Sequence, residues 1–96
     1  MTPGDGSDCR ALLVIRNRLG LHARAAVHLV QTASRFDAEV RVSKDGEIVN
    51  GRSIMGVMTL AATQGSEIEV VTSGPQAAEA LAAIRDLVEA RFHEGE

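Results

Sequence analysis

His22 stands in the setting with the clearest chemistry in this sequence. It follows a glycine-containing loop and precedes a stretch of helical periodicity, so it is predicted to lie at the start of a helix. Helix N-termini expose unpaired N–H groups and the positive end of the helix dipole, and they bind phosphate well. A second positive charge is unfavourable there, which favours the neutral, nucleophilic imidazole. The setting therefore indicates a histidine that can accept a phosphoryl group.

Arg24 falls in the first turn of the same predicted helix. Its guanidinium can add charge-assisted hydrogen bonds to a phosphate held on His22. The small side chains that surround it leave room for another molecule to approach; they are Ala23, Ala25 and Ala26. The alternative is that His22 is only a solvent-exposed residue at a helix start, and the physical argument alone leaves that alternative open.

The remaining candidates for chemistry are weaker. His28 lies on a different helix face from His22, and His93 lies close to the end of the sequence. A single cysteine, Cys9, forms no internal disulfide and completes no metal-binding cluster with these histidines. We therefore expect no metal site and no cofactor.

The composition predicts one small cytoplasmic domain. The 96 residues are 45% hydrophobic, which suffices for one core. Two Phe and no Trp or Tyr leave few stacking surfaces, and the formal charge is −3 without a basic run, so no nucleic-acid partner is expected. The sequence has no apolar run of membrane-spanning length and no signal-peptide pattern, so no membrane insertion is expected.

Hydrophobic periodicity divides the chain into seven elements. The predicted strands are residues 11–15, 38–43, 47–50 and 67–72. The predicted helices are residues 22–36, residues 54–62 and a last helix that opens at residues 73–75. Asp45 and Gly46 predict a hairpin turn, and Ser53 is predicted to cap the second helix.

The order βαββαβα predicts an α+β fold: a two-layer, open-faced sandwich with a four-stranded antiparallel sheet covered on one face by three helices. Residues 1–8 are predicted to be a flexible extension, residues 9–92 the domain and residues 93–96 a polar tail. We expect the chain to be frayed from Phe92 onward.

Two segments resemble the signatures of a known family. Residues 20–26, GLHARAA, resemble the active-site signature of HPr, the histidine phosphocarrier of the bacterial phosphoenolpyruvate-dependent phosphotransferase system. Residues 50–58, NGRSIMGVM, resemble the second signature of that family. The two segments lie at the family's separation, the βαββαβα order matches, and the resemblance covers the chain from Arg10 to Phe92.

The resemblance implies a cytoplasmic phosphoryl carrier rather than a free-standing enzyme, and we expect it to be a monomer. His22 would carry the phosphoryl group on Nδ1, Arg24 would assist binding and transfer, and Ser53 would be a regulatory phosphorylation site. The implied partners are enzyme I, enzyme IIA proteins and, in lineages that have one, an HPr kinase/phosphorylase. The implied docking residues are Ala23, Val27, Ile54, Met55 and Met58.

Two departures from the family pattern bear on function. Ala25 stands where many members have Pro, and because Ala is a strong helix former we expect the helix to persist. The acidic end of the chain resembles nitrogen-type relatives. An alternative function is therefore a regulatory interaction module of a nitrogen-type or incomplete phosphotransferase system, read out through Ser53 phosphorylation or His22 occupancy. The sequence leaves Met55 and Met58 open between core and interface.

Overall fold

A four-stranded antiparallel sheet covered by helices forms the computed structural model of the protein, which describes residues 8–94. The strands are β1 (Cys9–Val14), β2 (Glu39–Lys44), β3 (Glu47–Asn50) and β4 (Glu67–Ser73), in the spatial order β1-β4-β2-β3. The helices are α1 (Ala23–Ser34), α2 (Ile54–Thr59) and α3 (Ala77–Glu89), followed by a short 3₁₀ turn, Arg91–His93. The predicted α+β open-faced sandwich and its βαββαβα order are confirmed.

Alternating side chains explain why the sheet has one covered face. Val40, Val42, Ile68 and Val70 are fully buried, whereas their neighbours along each strand are partly or wholly exposed. β4 lies inside the sheet and pairs with β1 and β2, so its apolar face is the floor of the core. Leu29 of α1, together with residues of α2 and α3, closes the core from above.

Several element boundaries differ from the expectations. β1 begins at Cys9 and ends at Val14, α1 covers 23–34, and α3 begins only at Ala77, after Gln76 as its N-cap. α2 ends at Thr59 and does not continue to Ala62, because Ala61 adopts a left-handed conformation with φ of 50°. A left-handed residue cannot continue a right-handed helix.

The expectation that the chain is frayed from Phe92 onward is wrong for Phe92–Glu94. Phe92 is 1% exposed and belongs to the hydrophobic core. Arg91, Phe92 and His93 have φ values of 55°, 52° and 61°, and this left-handed turn after α3 directs the Phe92 ring into the core. Burial of a phenylalanine offsets the cost of that backbone conformation. The proposed extension at residues 1–8 lies outside the described residues except for Asp8, as do the last two positions of the proposed tail.

Candidate functional site

His22 is the N-cap residue of α1, as the sequence predicts. Its backbone is extended, with φ of −74° and ψ of −179°, and the first helical hydrogen bond runs from Ala26 N to His22 O at 2.9 Å. Helix geometry leaves the N–H groups of Ala23, Arg24 and Ala25 without intrahelical acceptors. The His22 ring makes no capping hydrogen bond to them, and the first turn holds no acidic residue. This helix end is therefore suited to an anion.

The loop before α1 is fixed by hydrogen bonds to the loop before β4. Leu21 N donates to Ala62 O at 2.8 Å, and Gly65 N donates to Ile15 O at 2.8 Å. Gly20 is required between them: its φ is 67°, and a Cβ there would lie 2.3 Å from Ala62 O. His22 therefore emerges from a backbone with little freedom.

Glu94 lies against the His22 ring, an arrangement that the sequence analysis did not foresee. Nε2 of His22 and Oε2 of Glu94 form a hydrogen bond, and Asn17 Nδ2 donates to Glu94 Oε1 at 3.1 Å. The His22 side chain is 28% exposed and that of Glu94 only 6%. The His22 ring is therefore only partly exposed, because the turn at Phe92 brings this carboxylate over one edge of the ring.

The pKa of the Glu94 carboxyl lies below its ordinary value. Burial by itself raises that pKa, but hydrogen bonds from His22 and Asn17, together with electrostatic attraction to His22 and Arg24, outweigh burial. Glu94 is therefore an ionised carboxylate at neutral pH. A carboxylate accepts hydrogen bonds and does not donate them, so Nε2 of His22 carries the hydrogen of this contact.

Asn17 supports the same site from within the protein. It is fully buried, and its Nδ2 donates both to Gly20 O at 2.7 Å and to Glu94. Both partners are acceptors, which fixes the orientation of the amide. Its Oδ1 is a buried acceptor without a hydrogen-bond partner among the described residues.

An open cleft of about 400 Å³ lies beside the His22 ring. It is lined by Leu19, His22, Ala23, Arg24 and Glu94. Arg24 is exposed in the first turn of α1 and lines the cleft, so its guanidinium can donate charge-assisted hydrogen bonds to an anion bound there. The cleft is open to solvent and presents the guanidinium of Arg24 and the carboxylate of Glu94 beside the ring.

The five residues proposed for docking lie on α1 and α2, which pack against each other. Met55 is 72% exposed, and Ile54 and Met58 are exposed as well, so both methionines lie at the surface and not in the core, and their role in docking stays a prediction. Ala23 is exposed and Val27 half-buried. We call the exposed apolar side chains of Ile54, Met55 and Met58 on α2 the apolar patch.

Ser53 caps α2, as predicted. Its Oγ accepts a hydrogen bond of 3.0 Å from Gly56 N, and its backbone is extended. The side chain is half-buried next to the exposed Ile54 and Met55. The hydroxyl thus lies beside the apolar patch, at the positive end of a short helix.

His28 and His93 do not join the site. Their rings contact each other edge to face, with centroids 6.5 Å apart, so His93 packs against α1 and is not a free tail residue. Within residues 8–94, no three metal-ligating side chains lie close enough to hold a metal ion. In the same part of the chain, no helix has the length and apolarity needed to cross a membrane.

Sequence reasoning missed Glu94 and Asn17 as site residues. Glu94 is separated from His22 by almost the whole domain, and no spacing rule links an acidic residue near the chain end to a helix start. Asn17 carried a weak signal, since Asn three residues before a glycine is typical of a turn. That signal indicates a loop and gives no hint of a contact with Glu94.

A family model, curated proteins and solved structures match most of this chain. A family model described as the phosphorylation site of the PTS HPr component matches residues 10–90. A phosphocarrier protein HPr of Neisseria meningitidis is 54% identical over 82 residues, which are 85% of this chain and 92% of the relative. The crystal structure of HPr-C-His from Thermoanaerobacter tengcongensis superposes with a TM-score of 0.88 at 41% identity, covering 92% of this chain and 99% of that one. An HPr structure from Bacillus anthracis gives a TM-score of 0.82 at 41% identity, over 85% and 98% of the two chains.

Proposed function

The chain belongs to the HPr family of phosphocarrier proteins of the phosphotransferase system, and we propose that His22 is the residue on which it carries the phosphoryl group. Members of this family are carriers rather than free-standing enzymes, and the phosphocarrier role is favoured over a purely regulatory module. The observation that carries the assignment is the position of His22 at the N-cap of α1, beside an open cleft.

In this proposal, the N-terminus of α1 binds the phosphoryl oxygens. The unpaired N–H groups of the first turn can donate to them, and Arg24 adds a charge-assisted hydrogen bond. Ala25, unlike the Pro of many family members, contributes an N–H of its own to this set. The site thus supplies positive potential without a metal ion or cofactor.

Protein partners would dock on the apolar patch and on Ala23 and Val27. Enzyme I would deliver the phosphoryl group, and enzyme IIA proteins would remove it. Exposed methionines adapt to different surfaces, which suits a carrier that meets more than one partner at the same face. The proposal includes both of these partners. It also holds that the protein is a monomer and is located in the cytoplasm.

Ser53 would be the regulatory site, phosphorylated by an HPr kinase/phosphorylase where one is present. Its hydroxyl lies at the N-terminus of α2, beside Ile54 and Met55. A phosphate there would bring about two negative charges to the edge of the docking face. We expect it to act on partner binding and not on the fold.

The test is phosphorylation of the purified chain by phosphoenolpyruvate and enzyme I, followed by mapping of the acid-labile phosphate at neutral pH. We expect one phosphate, on His22, and none on His22→Ala. The matched control is His28→Ala, which removes another histidine of the same helix and should be phosphorylated normally. If circular dichroism shows that His22→Ala is folded and the variant still takes acid-labile phosphate, the assignment is disproved.

A further inference from the structure

We propose that Glu94, held in place by Asn17, is a positioning residue that selects Nδ1 of His22 as the nitrogen that accepts the phosphoryl group. The inference rests on the proposed function of His22 and adds two residues that the family signatures do not contain. It concerns which tautomer of His22 is present before the phosphoryl donor arrives.

The hydrogen bond between His22 and Glu94 decides the tautomer. A neutral imidazole has one N–H and one lone pair, and the contact with the Glu94 carboxylate retains the hydrogen on Nε2. The lone pair is then on Nδ1, which makes no capping hydrogen bond to α1. Nε2 is also covered by Glu94, whose side chain is almost completely buried. Glu94 therefore both directs the hydrogen to one nitrogen and blocks that nitrogen from a donor.

The carboxylate is held from its other side by Asn17. Oε1 accepts from Asn17 Nδ2, while Oε2 contacts the His22 ring, so each oxygen has its own partner. The same Asn17 amide donates to Gly20 O, in the loop that ends at His22. Asn17 thus couples the position of Glu94 to the backbone that carries the ring. The buried Phe92 ring anchors the segment on which Glu94 lies.

The hydrogen on Nε2 stays in place throughout the transfer step. The Nδ1 lone pair attacks the phosphorus, the bond from phosphorus to the donor breaks, and its electron pair returns to the donor. The product ring holds a phosphoryl group on Nδ1 and a hydrogen on Nε2, so it carries a positive charge. The Glu94 carboxylate stabilises that charge, much as a buried aspartate stabilises the imidazolium of a serine-protease triad. When the phosphoryl group moves on, the electron pair of the N–P bond returns to Nδ1.

Two measurements on Glu94→Gln test the proposal. The first is the pair of ¹⁵N chemical shifts of the His22 ring in the unphosphorylated protein. Among neutral rings, we expect the hydrogen on Nε2 in the parent protein and a mixture of both tautomers in Glu94→Gln, because a Gln amide can also donate to Nε2. The second is the rate of phosphorylation by enzyme I at saturating enzyme I. We expect it to fall at least about tenfold, because losing an orienting carboxylate costs about 10- to 100-fold at metal-ligating histidines and about 10⁴-fold in the serine-protease triad.

Two further variants separate positioning from folding. Glu94→Asp keeps the charge and should restore part of both the tautomer preference and the rate. Glu89→Gln removes an exposed carboxylate at the end of α3 and should leave both unchanged. A merely structural role for Glu94 would lower the thermal stability of Glu94→Gln while its ring shifts stayed the same.

The outcomes distinguish this inference from the proposed function. Parent-like ¹⁵N shifts and a parent-like rate in Glu94→Gln would overturn the positioning role, even if His22 carries phosphate. Phosphate found on Nε2 of the parent protein would overturn it as well. If the parent protein takes no phosphate on His22, the proposed function fails, and the shifts still report whether Glu94 sets the tautomer.

Discussion

Asn17 and Glu94 are 77 positions apart in the chain, yet Nδ2 of Asn17 donates a hydrogen bond of 3.1 Å to Oε1 of Glu94. This contact joins the loop before α1 to the segment after α3, at the point where His22 meets the cleft. The two ends of the domain are therefore tied together at the candidate site. The contacts of Asn17, His22 and Glu94 therefore contribute both to the stability of the domain and to the chemistry of the site.

Stability should depend on pH through Glu94. Burial raises its pKa, but the hydrogen bonds and electrostatic attraction around it prevail, so the folded-state pKa lies below the ordinary value of 4.5. A group whose pKa falls on folding contributes stability that is present above its unfolded pKa and is lost as pH falls through its folded pKa. We expect the difference in unfolding free energy between the parent and Glu94→Gln to be full above pH 4.5 and to shrink below it. Urea denaturation across that range measures it, and a difference that is independent of pH would contradict the argument.

Phe92 should be a major contributor to stability. Its ring is 1% exposed in the core, so Phe92→Ala should lower the free energy of unfolding by about 3–5 kcal/mol. Phe36→Ala, the same substitution at a ring that is only partly buried, is the matched control and should cost less. Denaturant unfolding of both variants measures the difference. Equal, small losses would mean that the end of the domain is frayed after all.

Arg24 should accelerate transfer without being essential to it. One charge-assisted hydrogen bond to phosphate is worth about 1.5–3 kcal/mol, so Arg24→Ala should slow phosphorylation of His22 roughly ten- to a hundredfold. Rapid-quench measurement of the transfer rate tests this. Arg85→Ala, which removes an exposed arginine from α3, should transfer at the parent rate. An unchanged rate in Arg24→Ala would mean that the backbone N–H groups suffice.

The apolar patch should matter for docking and little for stability. Met55 is 72% exposed, so Met55→Glu should leave the melting temperature almost unchanged and raise the KM for enzyme I by about tenfold, because a charge at a docking surface must be desolvated. Ile48 is 66% exposed on β3, and its side chain points away from the helices, which makes Ile48→Glu a matched control. Equal effects of the two variants on KM would contradict docking at α2.

Local patterns were sufficient to predict most of the fold. Alternation through Val40 and Val42 specified a strand with one buried face, and the helical spacing of Ala26, Leu29 and Ala33 specified the buried face of α1. The cap at Ser53 followed from residue type and position alone. These predictions are correct because each feature depends on residues within a few positions of one another along the chain.

The features that could not be predicted depend on distant contacts. A phenylalanine between charged residues near a chain end gives no sign of whether it packs inside, yet Phe92 is in the core and fixes the direction of the chain after it. The carboxylate beside His22 is a consequence of that turn. The position of His22 at the start of α1 was therefore predicted correctly, whereas the carboxylate beside its ring was not.

Ser53 combines a structural role with a proposed regulatory one, and two substitutions separate them. Ser53→Asp keeps an acceptor for Gly56 N at the start of α2, and Asp caps helices about as well as Ser, so the melting temperature should stay nearly the same. Ser53→Ala removes the acceptor and should cost about 1 kcal/mol of stability.

Phosphorylation of His22 should instead be impaired in Ser53→Asp and not in Ser53→Ala. The negative charge of Ser53→Asp lies beside Ile54 and Met55, where it raises the desolvation cost of docking and repels an acidic partner, so phosphorylation of His22 by enzyme I should weaken. Ser53→Ala leaves that surface uncharged and should be phosphorylated at close to the parent rate. If Ser53→Asp transferred normally at normal stability, Ser53 would be a helix cap and nothing more.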